Sequence, residues 1–112
     1  MRPEEADAAY LWDMLEACRE VLGFVRGVEY EDFTSDRKLL LAVERGLEII
    51  GEAAGRISPA WQSAHPGVPW KRIRGMRNML AHEYGAVDHA IVFETVMNDL
   101  PALFAQLEKL LA

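Results

Sequence analysis

Apolar side chains recur at three- and four-residue steps along nearly the whole chain, the period of helices that each bury one face. From Glu4 to about Arg26 the stripe is Leu11, Met14, Leu15, Cys18, Leu22 and Val25. Pro3 and the acids Glu4, Glu5 and Asp7 suit a helix start, where negative charge meets the positive end of the helix dipole. Gly27 and the acids of "GVEYEDFTSD" interrupt the period, so this stretch reads as a loop in which Thr34 or Ser35 caps the next helix. That second helix, from about Asp36 to Gly55, carries Leu39, Leu40, Val43, Leu47, Ile50 and Ala54 on one side and charged residues on the others. "SPAWQSA" predicts a short helix capped by Ser58 with Pro59 at its first position, and "HPGVPW" then forces a loop. The third main helix starts near Pro69 and buries Trp70, Ile73, Met76, Met79 and Leu80. It loosens near Ala81 and ends before Gly85, which can close it in the left-handed conformation. The fourth starts near Asp88 and runs through Ile91, Val92, Val96, Leu100, Leu103, Phe104, Leu107 and Leu110, with a bend at Pro101. With no strand alternation, repeat or linker, the pattern predicts an all-α fold: one domain over 1–112, an antiparallel bundle of four main helices plus a short one.

Composition narrows the function classes. A chain of 112 residues, 51% hydrophobic, suffices for one core and is short for two. Its single cysteine, Cys18, allows no internal disulfide and fits a reducing compartment, with the core as its place. No apolar run approaches the ~20 residues of a membrane span, and the acidic start is unlike a signal peptide, so a cytoplasmic protein with no membrane association is expected. The formal net charge of −6 argues against a broad nucleic-acid surface, leaving only a local one.

Such a local surface is visible near the third helix. Lys71, Arg72, Arg74 and Arg77 cluster there, followed by His82. Taken singly, these residues suit a solvated helix face and a surface or capping histidine. Together they supply what phosphodiester chemistry needs without a metal: an imidazole that titrates near neutral pH and a guanidinium that stays charged and offers a planar fork to phosphate oxygens. Arg77 and His82, five residues apart, lie about 140° apart around a regular helix, while Asn78 and His82 share a face. A long Arg77 side chain, a break near Ala81 or a second subunit would bring both groups to one phosphate.

The stretch Arg77-Asn78-Met79-Leu80-Ala81-His82 resembles the arginine–histidine signature of the HEPN superfamily of helical nucleic-acid-processing domains. Its flanks, "VPWKRIRGMRNMLAHEYGAVDHAIVFETVMNDLPAL" and "LEIIGEAA", look like the HepT-like toxins in particular, and the similarity extends over about residues 4 to 107. The resemblance implies a homodimeric RNA endonuclease toxin paired with a small MNT-type nucleotidyltransferase antitoxin, cutting RNA with no metal and no cofactor. It implies that His82 acts as general base or acid, that Arg77 neutralises charge growing on the phosphoryl oxygens, and that Asn78 orients one of them. Lys71, Arg72 and Arg74 would hold flanking RNA phosphates. Tyr84 would be the acceptor of AMP from the antitoxin, adding charge and bulk where a phosphate must sit.

Blander readings stand beside these. Tyr84 also suits a packed aromatic at a helix end, Tyr10 falls in the first helix and Tyr30 in the acidic loop. His65 reads as a loop residue, His89 as a surface residue early in the fourth helix, and Glu48 with Glu52 as solvated or salt-bridged acids on one face. No histidine–acid set has a metal-ligand spacing. The whole chain also suits a non-catalytic binding or dimerisation module that partners a nucleotidyltransferase.

Overall fold

The computed structural model describes residues 5–80 and 87–112, and every regular element among them is a helix. The elements are α1 (Glu5–Phe24), α2 (Tyr30–Ser35), α3 (Arg37–Arg56), α4 (Pro59–Ala64), α5 (Trp70–Arg74), α6 (Met76–Leu80), α7 (His89–Asn98) and α8 (Leu100–Leu111). The expected all-α class is therefore found, in more segments than the periodicity indicated.

Helix α3 is the hub, packed against α1 along its length and also against α2, α5 and α6, while α1 packs on α8 and α8 on α7. The predicted stripes build this core. Leu11, Met14, Leu15 and Cys18 of α1, with Leu40, Val43, Leu47, Ile50 and Ala54 of α3, are all buried, joined by Val92, Val96, Leu100, Leu103 and Leu107. Cys18 lies fully inside, and burial pushes its thiol pKa up to about 12 because a thiolate there would be stripped of water. Ile91, counted with the fourth helix's apolar positions, is instead half exposed, since the side of α7 that packs inward is centred on Val92, Thr95 and Val96.

Four local expectations change. The acidic loop contains α2, whose Phe33 enters the core, so Tyr30 is helical. The cap of α3 is Asp36 rather than Thr34 or Ser35: its backbone is extended and its Oδ1 accepts from the Leu39 amide at 3.1 Å, whereas both hydroxyls donate back to the Glu31 carbonyl within α2. The third main helix divides at Gly75, whose amide bonds back to the Lys71 carbonyl at 3.0 Å and whose carbonyl starts α6 by accepting from the Asn78 amide at 3.0 Å. The fourth is two helices. Asp99 ends α7 and opens α8, and Pro101 sits in the first turn of α8, where its missing amide hydrogen breaks no helical bond. The cap at Ser58, the helix start at Asp88 and the break at Gly27, with φ of 72°, are as expected, and the Asp88 side chain caps α7 by accepting from the Ala90 and Ile91 amides.

Candidate functional site

The basic segment is fixed by its flanks. Pro69 precedes α5, and Trp70, at its first position, turns its indole inward and donates from Nε1 to the His65 carbonyl at 3.0 Å. Trp61 of α4 meets Trp70 edge-on at 5.8 Å between centroids and stacks on the His65 ring at 3.7 Å. His65 also holds the Trp61 carbonyl through Nδ1 at 2.9 Å, so this histidine is a structural clasp at the end of α4. Gln106 of α8 donates to the Gly67 carbonyl at 2.9 Å and ties the same loop to the bundle. With Trp70 and Ile73 buried, the alternate side chains Lys71, Arg72 and Arg74 project to solvent.

These three cations border an open hollow of about 650 Å³, lined also by Pro66, Pro69 and Gln62. Two of them are tethered. Arg72 pairs with Asp99 at 2.9 Å, its own side chain 71% exposed, so the pair contributes no more than ~1 kcal/mol and opens readily for a competing anion. Arg74 donates to the Gln62 side chain, whose amide nitrogen in turn donates to the Ala54 and Ile57 carbonyls at the end of α3. Neither Gln62 nor Asp99 was singled out from sequence, because each is distant along the chain from the arginine it meets.

Arg77 and Asn78 stand exposed on α6, next to the buried Met76 that anchors that helix. They are not part of the lining of the hollow beside α5. The backbone of Arg77 lies against Gly51 of α3, where a Cβ would meet the Arg77 Cγ at 2.7 Å and its amide nitrogen at 3.2 Å. His82 and Tyr84, with Ala81 and Gly85, lie outside the described residues. His89 is half-buried at the start of α7. Glu48 pairs with Arg45 at 2.7 Å, and Glu52 borders a small hollow with Tyr10, Asp13 and Arg56. Sequence reasoning also passed over Asp7 beyond its place at a helix start. It is buried at 4% exposure and accepts from the Ser58 amide at 2.8 Å and the Ser58 hydroxyl at 2.7 Å, pinning α1 to the α3–α4 turn.

Among the described residues, no helix is long and apolar enough to cross a membrane. The arrangement offers a cationic edge with an exposed guanidinium and amide on α6, suited to the phosphate backbone of a nucleic acid.

Comparison with known proteins agrees with that chemistry. The family model described as "Ribonuclease HepT-like" matches residues 14–110. The chain is 42% identical over 101 residues to a protein of Thermococcus cleftensis named probable ribonuclease HepT, covering 90% of this chain and 92% of that one. It is 40% identical over 102 residues to a protein of Caldanaerobacter subterraneus subsp. tengcongensis that bears an RNase name, covering 91% of each. A protein of Methanocaldococcus jannaschii with an RNase name is 36% identical over 100 residues, covering 89% of this chain and 92% of its own length. No solved structure matches the chain. With a family match over most of its length and relatives at this identity, the chain belongs to the HepT-like ribonuclease family of the HEPN superfamily.

Proposed function

We propose that this protein is a metal-independent RNA endonuclease, the toxin of a pair whose antitoxin is an MNT-type nucleotidyltransferase, working in the cytoplasm as a homodimer. The observation that supports it is the exposed pair Arg77 and Asn78 on α6, braced from behind by α3 and continuous in sequence with the cations of α5. In the reaction, the ribose 2′-oxygen forms a bond to the adjacent phosphorus as the bond from phosphorus to the 5′-oxygen breaks. The products are a cyclic phosphate and a free 5′-hydroxyl. His82 takes the 2′-hydroxyl proton or supplies one to the leaving oxygen, while Arg77 neutralises the charge that grows on the phosphoryl oxygens and Asn78 orients one of them. Lys71, Arg72 and Arg74 hold neighbouring phosphates, with Arg72 exchanging Asp99 for RNA. Tyr84 receives AMP from the antitoxin, and the added anion excludes the substrate.

The test is incubation of purified protein with total RNA in excess chelator. Cleavage is expected for wild type and lost by ~10²-fold or more in His82→Ala and in Arg77→Ala, each of which should remain folded. Equal cleavage by all three would refute the catalytic assignment. One observation favours a second reading, a non-catalytic module that partners a nucleotidyltransferase: Arg72 and Arg74 already have intramolecular partners, in a chain of net charge −6. In both readings an AMP mass increment on co-expression with the antitoxin maps to Tyr84 and is absent from Tyr84→Phe; only the nuclease reading requires that Tyr84→Phe still cut RNA.

A further inference from the structure

Glycine in the middle of a helix costs about 1 kcal/mol relative to alanine, so of the three glycines in the 20-residue α3, Gly46 and Gly51 call for a reason, whereas Gly55 lies in the last turn with open space beside it. Gly46 and Gly51 are five residues apart and therefore point about 140° apart around the helix, toward different neighbours. A Cβ on Gly46 would lie 2.2 Å from a Val21 methyl, so this glycine seats α1. At Gly51 the obstacle is different. There a Cβ would fall 2.7 Å from the Arg77 Cγ, 3.2 Å from the Arg77 amide nitrogen and 3.4 Å from the Ile73 carbonyl oxygen. The stem of Arg77 thus crosses α3 in the space a methyl group would fill, while the residue as a whole stays exposed.

We propose that Gly51 is a positioning residue for Arg77, its missing side chain forming the slot that fixes the first carbons of the arginine and so the direction in which the guanidinium leaves the surface. The inference rests on the reading of Arg77 given above. An arginine on an open helix face samples many rotamers and loses that freedom on each encounter with a phosphate, whereas one whose Cγ is held has fewer rotamers to lose. Any Cβ at position 51 forces one of two changes. The Arg77 side chain adopts another rotamer, or α6 lifts away from α3, and either displaces the guanidinium by about the 1 Å that costs an enzyme ~10²-fold. Substrate capture by the cations of α5 is untouched, because their supports are Trp70, Gln62 and Asp99.

The experiment is a double-mutant cycle of Gly51→Ala and Arg77→Ala, with apparent kcat and KM on a short random-sequence RNA pool and a melting temperature for each protein. Gly46→Ala, an overpacking change on the same helix aimed at α1, is the control, combined with Val21→Ala if it does not fold alone. Gly51→Ala is expected to lower kcat by ~10²-fold at nearly unchanged KM. Arg77→Ala should lower kcat at least as far, and the double variant no further than Arg77→Ala, since the Cγ that the new methyl strikes is gone. The control should cut at the wild-type rate per folded molecule. Wild-type kcat in Gly51→Ala, losses that multiply in the double variant, or an equal kcat loss in the control would each overturn the proposal. If Gly51→Ala does not fold, recovery of folding on adding Arg77→Ala supports the contact and no recovery overturns it. Wild-type cleavage by Arg77→Ala would show instead that the reading of the site is at fault, and the inference would fall with it.

Discussion

Two faces of α3 contact the rest of the molecule in opposite ways. On one it closes on α1 at Gly46, and its Leu40, Val43, Leu47 and Ile50 are buried in the apolar core the two helices share. Toward α5 and α6 it meets two short helices that bury Trp70, Ile73 and Met76 and leave Lys71, Arg72, Arg74, Arg77 and Asn78 in water. The first region is held by area removed from water, the second by a few close approaches and polar tethers. A helix of five residues cannot stabilise itself, so α6 takes its position from α3. The difference separates the work: the α1–α3 contact supplies stability, and the α5–α6 edge presents charge.

If that division is right, substitutions in the two regions should separate in size and kind. The largest stability effect is expected in the first. Leu47→Ala empties a fully buried site at the centre of α3 and should cost about 3 kcal/mol in denaturant unfolding, whereas Arg77→Ala at the other edge should stay within ~0.5 kcal/mol. Comparable losses from both would erase the distinction. Next comes Asp7→Ala, which strands the Ser58 amide and hydroxyl at the join of α1 with the α3–α4 turn; a loss of ~1–3 kcal/mol is expected by thermal melting.

Cys18 sharpens the comparison through pH. Its folded-state pKa is raised to about 12 from an ordinary 9.0, so the folded chain keeps a proton that the unfolded chain releases. Its contribution is therefore whole below about pH 9 and is lost as pH rises toward 12, at up to ~1.4 kcal/mol per pH unit. Unfolding free energies between pH 8 and the alkaline limit of folding should fall less steeply in Cys18→Ala than in wild type; parallel curves would place the thiol in water. The smallest effect belongs to the second region. Asp99→Asn frees an exposed arginine and removes no side-chain cap, so stability should change by less than ~1 kcal/mol. RNA binding should tighten, and the log–log salt dependence should steepen by up to ~0.7 as Arg72 becomes available to one more phosphate. Weaker binding would mean that the pair orients Arg72 rather than occupying it.

The linear chain made legible the features that depend on near neighbours. The helical period located α1 and α3, Ser58, Pro59 and Asp88 marked helix starts, and Gly27 marked a break, because each acts over one or two turns. Arg77-Asn78-Met79-Leu80-Ala81-His82 points to the HEPN superfamily and its flanks, with "LEIIGEAA", to the HepT-like family, since residue order is legible without the fold. The local pattern misleads where one signal competes with another or with packing. "GVEYEDFTSD" has the composition of a loop, yet Phe33 is drawn into the core and brings a turn of helix with it. Asp36 outcompeted Thr34 and Ser35 because their hydroxyls were already committed to α2 carbonyls. The tertiary structure alone decided the long-range pairings: Asp7 with Ser58, Arg74 with Gln62, Arg72 with Asp99, and Gly51 beneath Arg77. Side-chain periodicity says which face of a helix is buried and nothing about which partner it meets, and a glycine's value lies in the group that occupies the space it leaves empty.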